Sequence, residues 1–375
     1  MNILYAFPEP LPLPKARGIQ TAWMVDALCG AGARVTLAHC PSPDGHPLTP
    51  LGRDLPAHLR LLPISRHWSF PLQRWHSVGR FVARLLQHLD RERPDLVFVR
   101  HLKLAQRLLQ ARPDLPLVYE AHEVFAATAS ESKRAALAAQ EAAVLAGAAG
   151  VVFISGAVEA ALQAAYPDAR PRARTVLHSG VDLPPPGPEK DWAQCARHMV
   201  YAGSFYGWKG VDDLVTAAAR LPGHRLTLLG GEAGEIERLK PRVDPRGAEV
   251  LLLPRLAPER VMAHLQEACI AVLPNRAEGV SQFTSPLKLF EYMGAGCALV
   301  TADLPSIREV LAPDQAAWFT PGDPESLAAA LAGLAADPNA ARRQGENLRQ
   351  LAAHYTWDAR ARGLLDFMEQ IRGGR

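Results

Sequence analysis

Two oppositely charged side chains on one predicted helix could together hold a nucleotide. Ser285 and Pro286 suit the N-cap and first position of a helix, so the amides of 287–289 would be free donors. Such a terminus attracts phosphate, and Lys288 places a cation where the helix dipole disfavours one. Glu291 lies on the same face and can accept hydrogen bonds from sugar hydroxyls. The pair therefore suits the diphosphate and ribose of a nucleotide.

A glycine-containing loop with a lysine follows a predicted strand over Met199–Ala202. Gly203 allows close backbone approach, and Lys209 can reach a diphosphate. The loop is not a Walker A motif, because Trp208 precedes the lysine and Gly210 replaces the hydroxyl residue that would hold magnesium. The alternative interpretation is an exposed lysine at the start of a helix.

His122 is a third candidate for a functional residue. It follows the apolar run Pro116–Tyr119, so we expect it at the carboxyl end of a strand, where ligands bind in parallel sheets. A lone histidine is more often a packing or surface residue.

Short apolar runs alternate with helical patterns along the chain, which predicts parallel sheets covered by helices. The first series begins at Ile3–Phe7 and ends at Val151–Ile154. A proline-rich segment, Leu183–Pro188, interrupts the alternation and is typical of an interdomain linker. A second series runs from Met199–Ala202 to Leu299–Thr301, before three closing helices. The predicted architecture is α/β, with two doubly wound Rossmann-like domains that face a central cleft.

Composition narrows the possible functions. The chain has 375 residues, of which 48% are hydrophobic and 21% charged, which suffices for two globular domains. A net charge of +3 does not indicate nucleic acid as a partner. Five scattered cysteines suggest neither a disulfide framework nor a zinc site and favour the cytoplasm. Met1–Phe7 is too short for a signal peptide, and no apolar run reaches membrane-spanning length.

The stretch Phe283–Gly296 resembles the C-terminal signature of retaining glycosyltransferases of family 4, which have the GT-B fold, in the branch that reads Ser-Pro-x-Lys-x-Phe-Glu-Tyr-Met. The resemblance implies that Glu291 holds the ribose. Phe283 stands where the family has a first glutamate, and Glu278 is a candidate to replace it.

Other segments resemble the same family. Gly203 to Gly210 is similar to its Gly-x-x-x-x-x-Lys-Gly segment, with Ser204 in place of an arginine found in many relatives. Glu120-Ala-His122-Glu123 resembles a segment whose histidine contacts the donor sugar. The loop around Gly18 corresponds to a glycine-rich loop near donor and acceptor.

The resemblance implies a division into an acceptor-binding domain over 1–183, a linker over 184–198, a donor-binding domain over 199–356 and a helix over 357–375 that crosses back to the first domain. The predicted site residues fall into three groups: catalytic His122, Lys209 and Lys288; donor-binding Gly203, Ser204, Ser285, Pro286, Leu287 and Glu291; and contacts to donor or acceptor from Arg17, Gly18, Glu120, Glu278 and Phe283.

We therefore expect a metal-independent, cofactor-free hexosyltransferase that moves a sugar from a nucleoside-diphosphate sugar to a glycan, lipid-linked or small-molecule acceptor, in cell-surface polysaccharide or glycoconjugate synthesis. Front-face substitution is expected for the retaining reaction. Two alternatives are a sugar-nucleotide epimerase of the same fold and a non-catalytic nucleotide-sugar-binding partner. The sequence does not distinguish the base, the sugar or the acceptor.

A basic and aromatic segment lies between Arg53 and Arg112. Such residues suit a peripheral site on the anionic inner face of the cell membrane, and they equally suit a packed helix with a solvated face. The residues concerned are Arg60, Arg66, Trp68, Phe70, Arg74, Trp75, Arg80, Phe81, Arg84, Arg91, Arg93, Lys103 and Arg107.

Overall fold

The structure of the chain, a computed structural model, describes residues 1–70, 73–76, 78–283 and 285–374. At 67–70, 73–76 and 280 it describes the backbone alone. The predicted contributions of Trp68, Phe70, Arg74 and Trp75 therefore lie outside the described side chains.

The chain forms two compact units. The first comprises 1–179 and 357–375, and the second comprises 180–356. The boundary thus falls between Ser179 and Gly180, whereas the sequence predicted a first domain that ends at 183.

The first unit is built on a parallel sheet. The strands of this unit are, in chain order, β1 (Asn2–Leu11), β2 (Arg34–Pro41), β3 (Leu59–Pro63), β4 (His67–Phe70), β5 (Gln73–His76), β6 (Leu96–Val99), β7 (Leu117–Ala121), β8 (Gly150–Phe153) and β9 (Arg174–Val176). The sheet order is β3-β2-β1-β6-β7-β8-β9, with β4 and β5 forming a separate antiparallel hairpin. Strands β6, β7 and β8 are buried throughout, as expected for a sheet covered on both faces.

Helices connect these strands. They are α1 (Ala16–Gly30), α2 (Val78–Glu92), α3 (Leu102–Ala111), α4 (Phe125–Thr128), α5 (Glu131–Gly147) and α6 (Gly156–Ala165). Helix α2 buries Phe81 and Leu85 and exposes Arg84. Phe81 is therefore a core residue, and α2 is an amphipathic helix with a basic solvated face.

The second unit contains another parallel sheet. Its strands are β10 (His198–Ala202), β11 (Arg225–Gly231), β12 (Glu249–Pro254), β13 (Ile270–Leu273), β14 (Ala298–Ala302) and β15 (Ala317–Phe319), in the order β12-β11-β10-β13-β14-β15. The prediction of two doubly wound α/β domains is confirmed. In such sheets the strand order reverses beside the first strand, here between β1 and β6 and between β10 and β13, and ligands bind beyond the carboxyl ends of those strands.

Helices also connect the strands of the second unit. They are α7 (Trp192–Cys195), α8 (Val211–Ala218), α9 (Ala233–Leu239), α10 (Pro258–Glu267), α11 (Leu287–Gly294), α12 (Pro305–Arg308), α13 (Pro324–Ala336) and α14 (Pro338–Ala352). The last helix of the chain, α15 (Trp357–Gly373), belongs to the first unit. A Cβ added at Gly150 of β8 would lie 2.4 Å from Ile371 Cδ1 and 2.9 Å from Phe367 Cζ, so α15 packs directly on that strand.

Residues 184–198, predicted as a linker, are held against the second unit. Arg349 donates a hydrogen bond to the Pro184 carbonyl at 2.9 Å. The Lys190 ammonium donates to the Ala268 carbonyl at 2.7 Å and the Gly296 carbonyl at 3.2 Å. These bonds fix the segment as part of the packed unit.

Cys195 and Cys269 are joined in a disulfide, with Cα atoms 5.3 Å apart. The scattered cysteines did not predict this pair. The pairing spans 74 residues and arises from packing of α7 beside the start of β13, which the spacing of cysteines cannot reveal.

Candidate nucleotide-binding site and histidine cluster

In the second unit, the loop after β10 lies at the switch point and is packed tightly. The Tyr201 hydroxyl donates to the Ser204 carbonyl at 2.7 Å. A Cβ at Gly203 would lie 2.7 Å from that tyrosine oxygen, and one at Gly230 would lie 2.6 Å from the Gly203 carbonyl oxygen. Only glycine leaves room for the tyrosine ring at 203 and for the neighbouring backbone at 230, so the predicted donor-binding Gly203 and Ser204 are held in a tightly packed loop.

Lys209 ends a short 3-10 helix, Gly207–Lys209, before α8. Gly210 follows with a φ of +69°, and a Cβ there would lie 1.7 Å from the Pro274 carbonyl oxygen. The lysine ammonium lies 4.0 Å from the centroid of the Trp208 ring, a distance suited to a cation–π contact. Burial, together with the charge of Lys288, lowers the pKa of Lys209 to about 8.

The segment after β13 supports this loop from the other side of the switch point. The Arg276 amide donates to the Trp208 carbonyl at 3.0 Å. The Arg276 guanidinium forms two hydrogen bonds, of 2.7 and 2.6 Å, with the carboxylate of Asp213 on α8. Asp213 is buried, so this bidentate pair fixes the position of the loop that carries Lys209.

Helix α11 begins one residue later than predicted. Pro286 is the N-cap, with extended backbone and no side-chain capping bond, so Ser285 is not the cap. The Leu289 amide donates to the Pro286 carbonyl at 3.0 Å, so the prediction that it is free is wrong. The amides of Leu287 and Lys288 come too early in the helix to have an intrahelical acceptor, so they point out of its N-terminus.

Lys288 and Glu291 bind each other. The lysine Nζ lies 2.6 Å from Glu291 Oε2, and the two side chains are 32% and 31% exposed. The predicted common face is thus present, and the two groups form an ion pair accessible to solvent.

Tyr292, which the sequence analysis did not single out, attaches α11 to the end of β10. Its hydroxyl oxygen accepts from the Ala202 amide at 2.8 Å and donates to the Ala202 carbonyl at 3.2 Å. The tyrosine is fully buried, so the helix that carries Lys288 and Glu291 is held against the strand that leads to Gly203.

The two residues considered for the family's first glutamate lie between β13 and α11. Glu278 is exposed and lies 3.7 Å from the Arg276 guanidinium. Phe283 is half-buried.

In the first unit, His122 follows β7 as predicted and is held by a buried carboxylate. The Glu120 Oε2 atom accepts a hydrogen bond of 2.7 Å from His122 Nε2. The Glu120 side chain is 1% exposed and that of His122 is 15% exposed. Glu120 is therefore almost fully buried, and its carboxylate holds the His122 ring in place; a direct contact of Glu120 with donor or acceptor stays a prediction.

Arg360 of α15 is the second partner of Glu120. Its Nη2 lies 2.5 Å from Glu120 Oε1, and its Nε donates to the His178 carbonyl at 2.7 Å. Sequence reasoning missed Arg360 because 240 residues separate it from Glu120.

Burial and the surrounding charges set the protonation of Glu120 and His122. Burial alone would raise the pKa of Glu120, but Arg360 and His122 hold it well below its ordinary value. Burial and the charge of Arg100 lower the pKa of His122 to about 4, against the opposing effect of Glu120. His122 is thus neutral at pH 7, and since Glu120 accepts from Nε2, the Nδ1 atom carries the lone pair.

Arg17 and Gly18 lie in the first turn of α1. Arg17 forms a bidentate pair with Glu9, with bonds of 2.8 and 2.6 Å. A Cβ at Gly18 would lie 2.4 Å from the Leu13 carbonyl oxygen, so glycine is required where the loop after β1 folds onto the helix.

Within the described parts of the chain, no group of three or more His, Cys, Asp or Glu side chains could hold a metal ion. None of the described helices is long and apolar enough to cross a membrane.

Two family models match the chain. Residues 20–184 match "Glycosyltransferase Family 4", and residues 196–337 match "Glycosyl transferases group 1". Both models describe glycosyltransferase domains; the first match lies in the first unit except for its last five residues, 180–184, and the second lies in the second unit.

The chain is also similar in sequence to an individual protein. The chain is 30% identical to glycogen synthase of Mycobacterium tuberculosis over 200 residues, which cover 49% of this chain and 45% of that protein. The match thus spans less than half of that relative's length.

Sucrose-phosphate synthase from Thermosynechococcus elongatus has a similar structure over 100% of both chains, with a TM-score of 0.81 and 19% identity. Anabaena Alr3699/HepE in complex with UDP covers 99% of this chain and 100% of its own, with a TM-score of 0.75 and 16% identity. The predicted GT-B fold is confirmed.

Proposed function

We propose that this chain is a retaining glycosyltransferase that takes its sugar from a nucleoside-diphosphate donor. The observation that carries the proposal is the meeting of Lys209 and Lys288 at the switch point of the second sheet. Lys209 lies in the segment after β10 and Lys288 in the helix after β13, the two strands that flank the switch point. Burial lowers the pKa of Lys209 to about 8, and the charge of Lys288 adds to this effect. A diphosphate could bind both ammonium groups at once, with the start of α11 beside Lys288.

Leaving-group stabilisation is the main catalytic contribution in this proposal. The bond from the sugar to the diphosphate breaks in the transfer step, and negative charge develops on the phosphate oxygens. Lys209, Lys288 and the amides at the start of α11 would neutralise that charge. Because the lysines supply the positive charge, we propose that the reaction needs neither metal ion nor cofactor.

Glu291 would bind the ribose. A diphosphate that takes Lys288 as its partner would release the carboxylate from the 2.6 Å ion pair, and Glu291 could then accept hydrogen bonds from the ribose hydroxyls. Binding of the two parts of the nucleotide would therefore be linked.

His122 would contact the transferred sugar. Its neutral ring can accept a hydrogen bond from a sugar hydroxyl through Nδ1, because Nε2 is bound to Glu120. We propose front-face substitution, in which the leaving diphosphate and the acceptor share one face of the sugar.

The donor is proposed to be a UDP-sugar. Support comes from the structures of Anabaena Alr3699/HepE, which contain UDP and UDP-glucose. We further propose that the first unit binds a glycan or lipid-linked acceptor, and that the enzyme acts in polysaccharide or glycoconjugate synthesis in the cytoplasm.

A peripheral membrane location stays a prediction, resting on exposed basic residues such as Arg84 of α2. Co-sedimentation with anionic and neutral vesicles would test it, and equal binding to both would contradict electrostatic docking.

Incubation of the purified chain with UDP-glucose and related donors tests the proposed reaction. Release of UDP by slow hydrolysis or transfer, unchanged by EDTA, is the expected result. An isomerised sugar nucleotide would favour the epimerase alternative, and donor binding without turnover would favour a non-catalytic partner.

A further inference from the structure

The carboxyl end of the first unit's sheet has a surplus of positive charge. Arg66 follows β3, and Arg100 directly follows β6 at the switch point beside β1. Both side chains are half-buried. Arginines in such a position normally pair with a carboxylate, since a partly desolvated cation without a counter-charge is costly.

Two of the acids in this region are already bound to other cations. Glu9 is held by both hydrogen bonds from Arg17, and Glu120 is held by Arg360 and His122.

Arg66 and Arg100 bind only neutral groups. Arg100 donates to the Arg17 carbonyl at 3.2 Å and to Gln20 Oε1 at 3.1 Å, and Arg66 donates to the Pro8 carbonyl at 2.8 Å. Among the residues that the structure describes, neither guanidinium has an ion-pair partner.

Two buried donors in the same region are unused. The Nε atom of Arg66 and the Nε2 atom of Gln20 have no hydrogen-bond partner in the described chain, although Gln20 is only 4% exposed. Buried polar groups are nearly always hydrogen-bonded, so each exception needs an explanation. A ligand with several acceptor oxygens would provide the missing partners.

We infer that the acceptor carries an anionic group, a phosphate or a carboxylate on a sugar, and that Arg66 and Arg100 bind it at the carboxyl end of the first unit's sheet. The planar guanidinium matches both anions with paired hydrogen bonds. The inference rests on the proposed function, which assigns the acceptor to the first unit.

Binding of small anionic sugars to the full-length chain tests the inference. Glucose 6-phosphate, glucuronate, glucose and inorganic phosphate would each be titrated by calorimetry. The Lys209→Met variant serves as background, because it removes a cation from the other proposed anion site. We expect at least one anionic sugar to bind more tightly than glucose and inorganic phosphate.

Arginine variants would assign that binding to the first unit. Arg100→Gln and Arg66→Gln should each weaken it about tenfold or more. Arg107→Gln, at an exposed position on α3, is the matched control and should leave it unchanged. Thermal unfolding would show whether each variant is folded. If one arginine variant does not fold, the binding measured with the other arginine variant tests the inference.

Three results would overturn the inference: no preference for anionic sugars over glucose, inorganic phosphate bound as tightly as the sugar anions, or binding that both arginine variants retain. A separate UDP titration distinguishes the two proposals. A chain that binds UDP but no anionic sugar contradicts only the acceptor inference, whereas binding of anionic sugars without UDP contradicts the donor assignment.

Discussion

At the scale of single residues, Lys288 and Glu291 bind each other and would have to exchange partners when a nucleotide binds. Because both are about a third exposed, the pair should contribute only about 0–1 kcal/mol to stability. We expect Glu291→Ala to leave the free energy of unfolding nearly unchanged. Nucleotide affinity should fall roughly ten- to a hundredfold, as for the loss of a hydrogen bond to a charged group.

Calorimetry with UDP and urea unfolding would measure the two effects. Glu346→Ala provides the control, since Glu346 forms a comparable surface pair with Arg342 on α14 at 2.8 Å. Equal UDP affinity in the Glu291 variant and the wild-type chain would exclude Glu291 from the site.

His122 should affect stability in acid. Its pKa is lowered to about 4 in the folded chain, against 6.5 as the ordinary value, so the unfolded chain binds the proton first as the pH falls. The histidine therefore contributes stability that is present above about pH 6.5 and is lost as the pH falls towards 4. His122→Gln should flatten the pH dependence of the unfolding free energy in that window, and an unchanged slope would contradict the assignment.

Arg360→Met should raise the pKa of His122, because Arg360 lowers it directly and Glu120 would then act without its main counter-charge. NMR of the imidazole ring measures this pKa. Arg362→Met, an exposed position on the same helix, is the matched control. A histidine pKa unaffected by Arg360→Met would show that the arginine serves packing alone.

The sequence predicted candidate site residues that stand in short linear motifs, such as Lys209, Lys288 and Glu291. It could not identify Arg360 or the role of Tyr292, because their partners lie 240 and 90 residues away. Such contacts are created by folding, and no local pattern encodes them.

At the scale of elements, the alternation of apolar runs and helical patterns predicted the parallel sheets correctly. Fully buried strands such as β6 and β7 have a strong apolar signal, although they have only four and five residues. The short strands β3, β9 and β15 were not predicted, since three to five residues with half-exposed side chains resemble loops. The start of α11 was misplaced by one residue because Ser285 and Pro286 can each serve as a cap.

The loop before α8 allows a test of how closely Lys209 must be positioned. Gly210→Ala would force a Cβ to within 1.7 Å of the Pro274 carbonyl oxygen at a φ of +69°, so the loop must move. We expect a loss of about 1–3 kcal/mol in stability and UDP binding weakened about tenfold or more.

Gly207→Ala is the matched control, three residues earlier in the same loop. A Cβ there meets no atom within 4 Å, so stability and affinity should change little. Similar UDP affinities for the two variants would mean that the loop does not position a phosphate-binding group.

At the scale of the whole molecule, each unit places a different chemistry at the carboxyl end of its own sheet. The second unit presents Lys209, Lys288 and Glu291, and the first presents His122 with its buried ion pair. Sequence patterns predicted two domains, but the boundary at Ser179 and Gly180 and the packing of 184–198 depend on contacts between distant segments.

The central claim is that the second unit binds a nucleoside diphosphate through its two lysines. Calorimetric titration of the full chain with UDP and with uridine tests it most directly. We predict that UDP binds at least about tenfold more tightly than uridine, and that Lys209→Met and Lys288→Met each reduce this difference while affecting uridine little. Equal affinities for UDP and uridine, or an equal loss of both in the lysine variants, would contradict the claim.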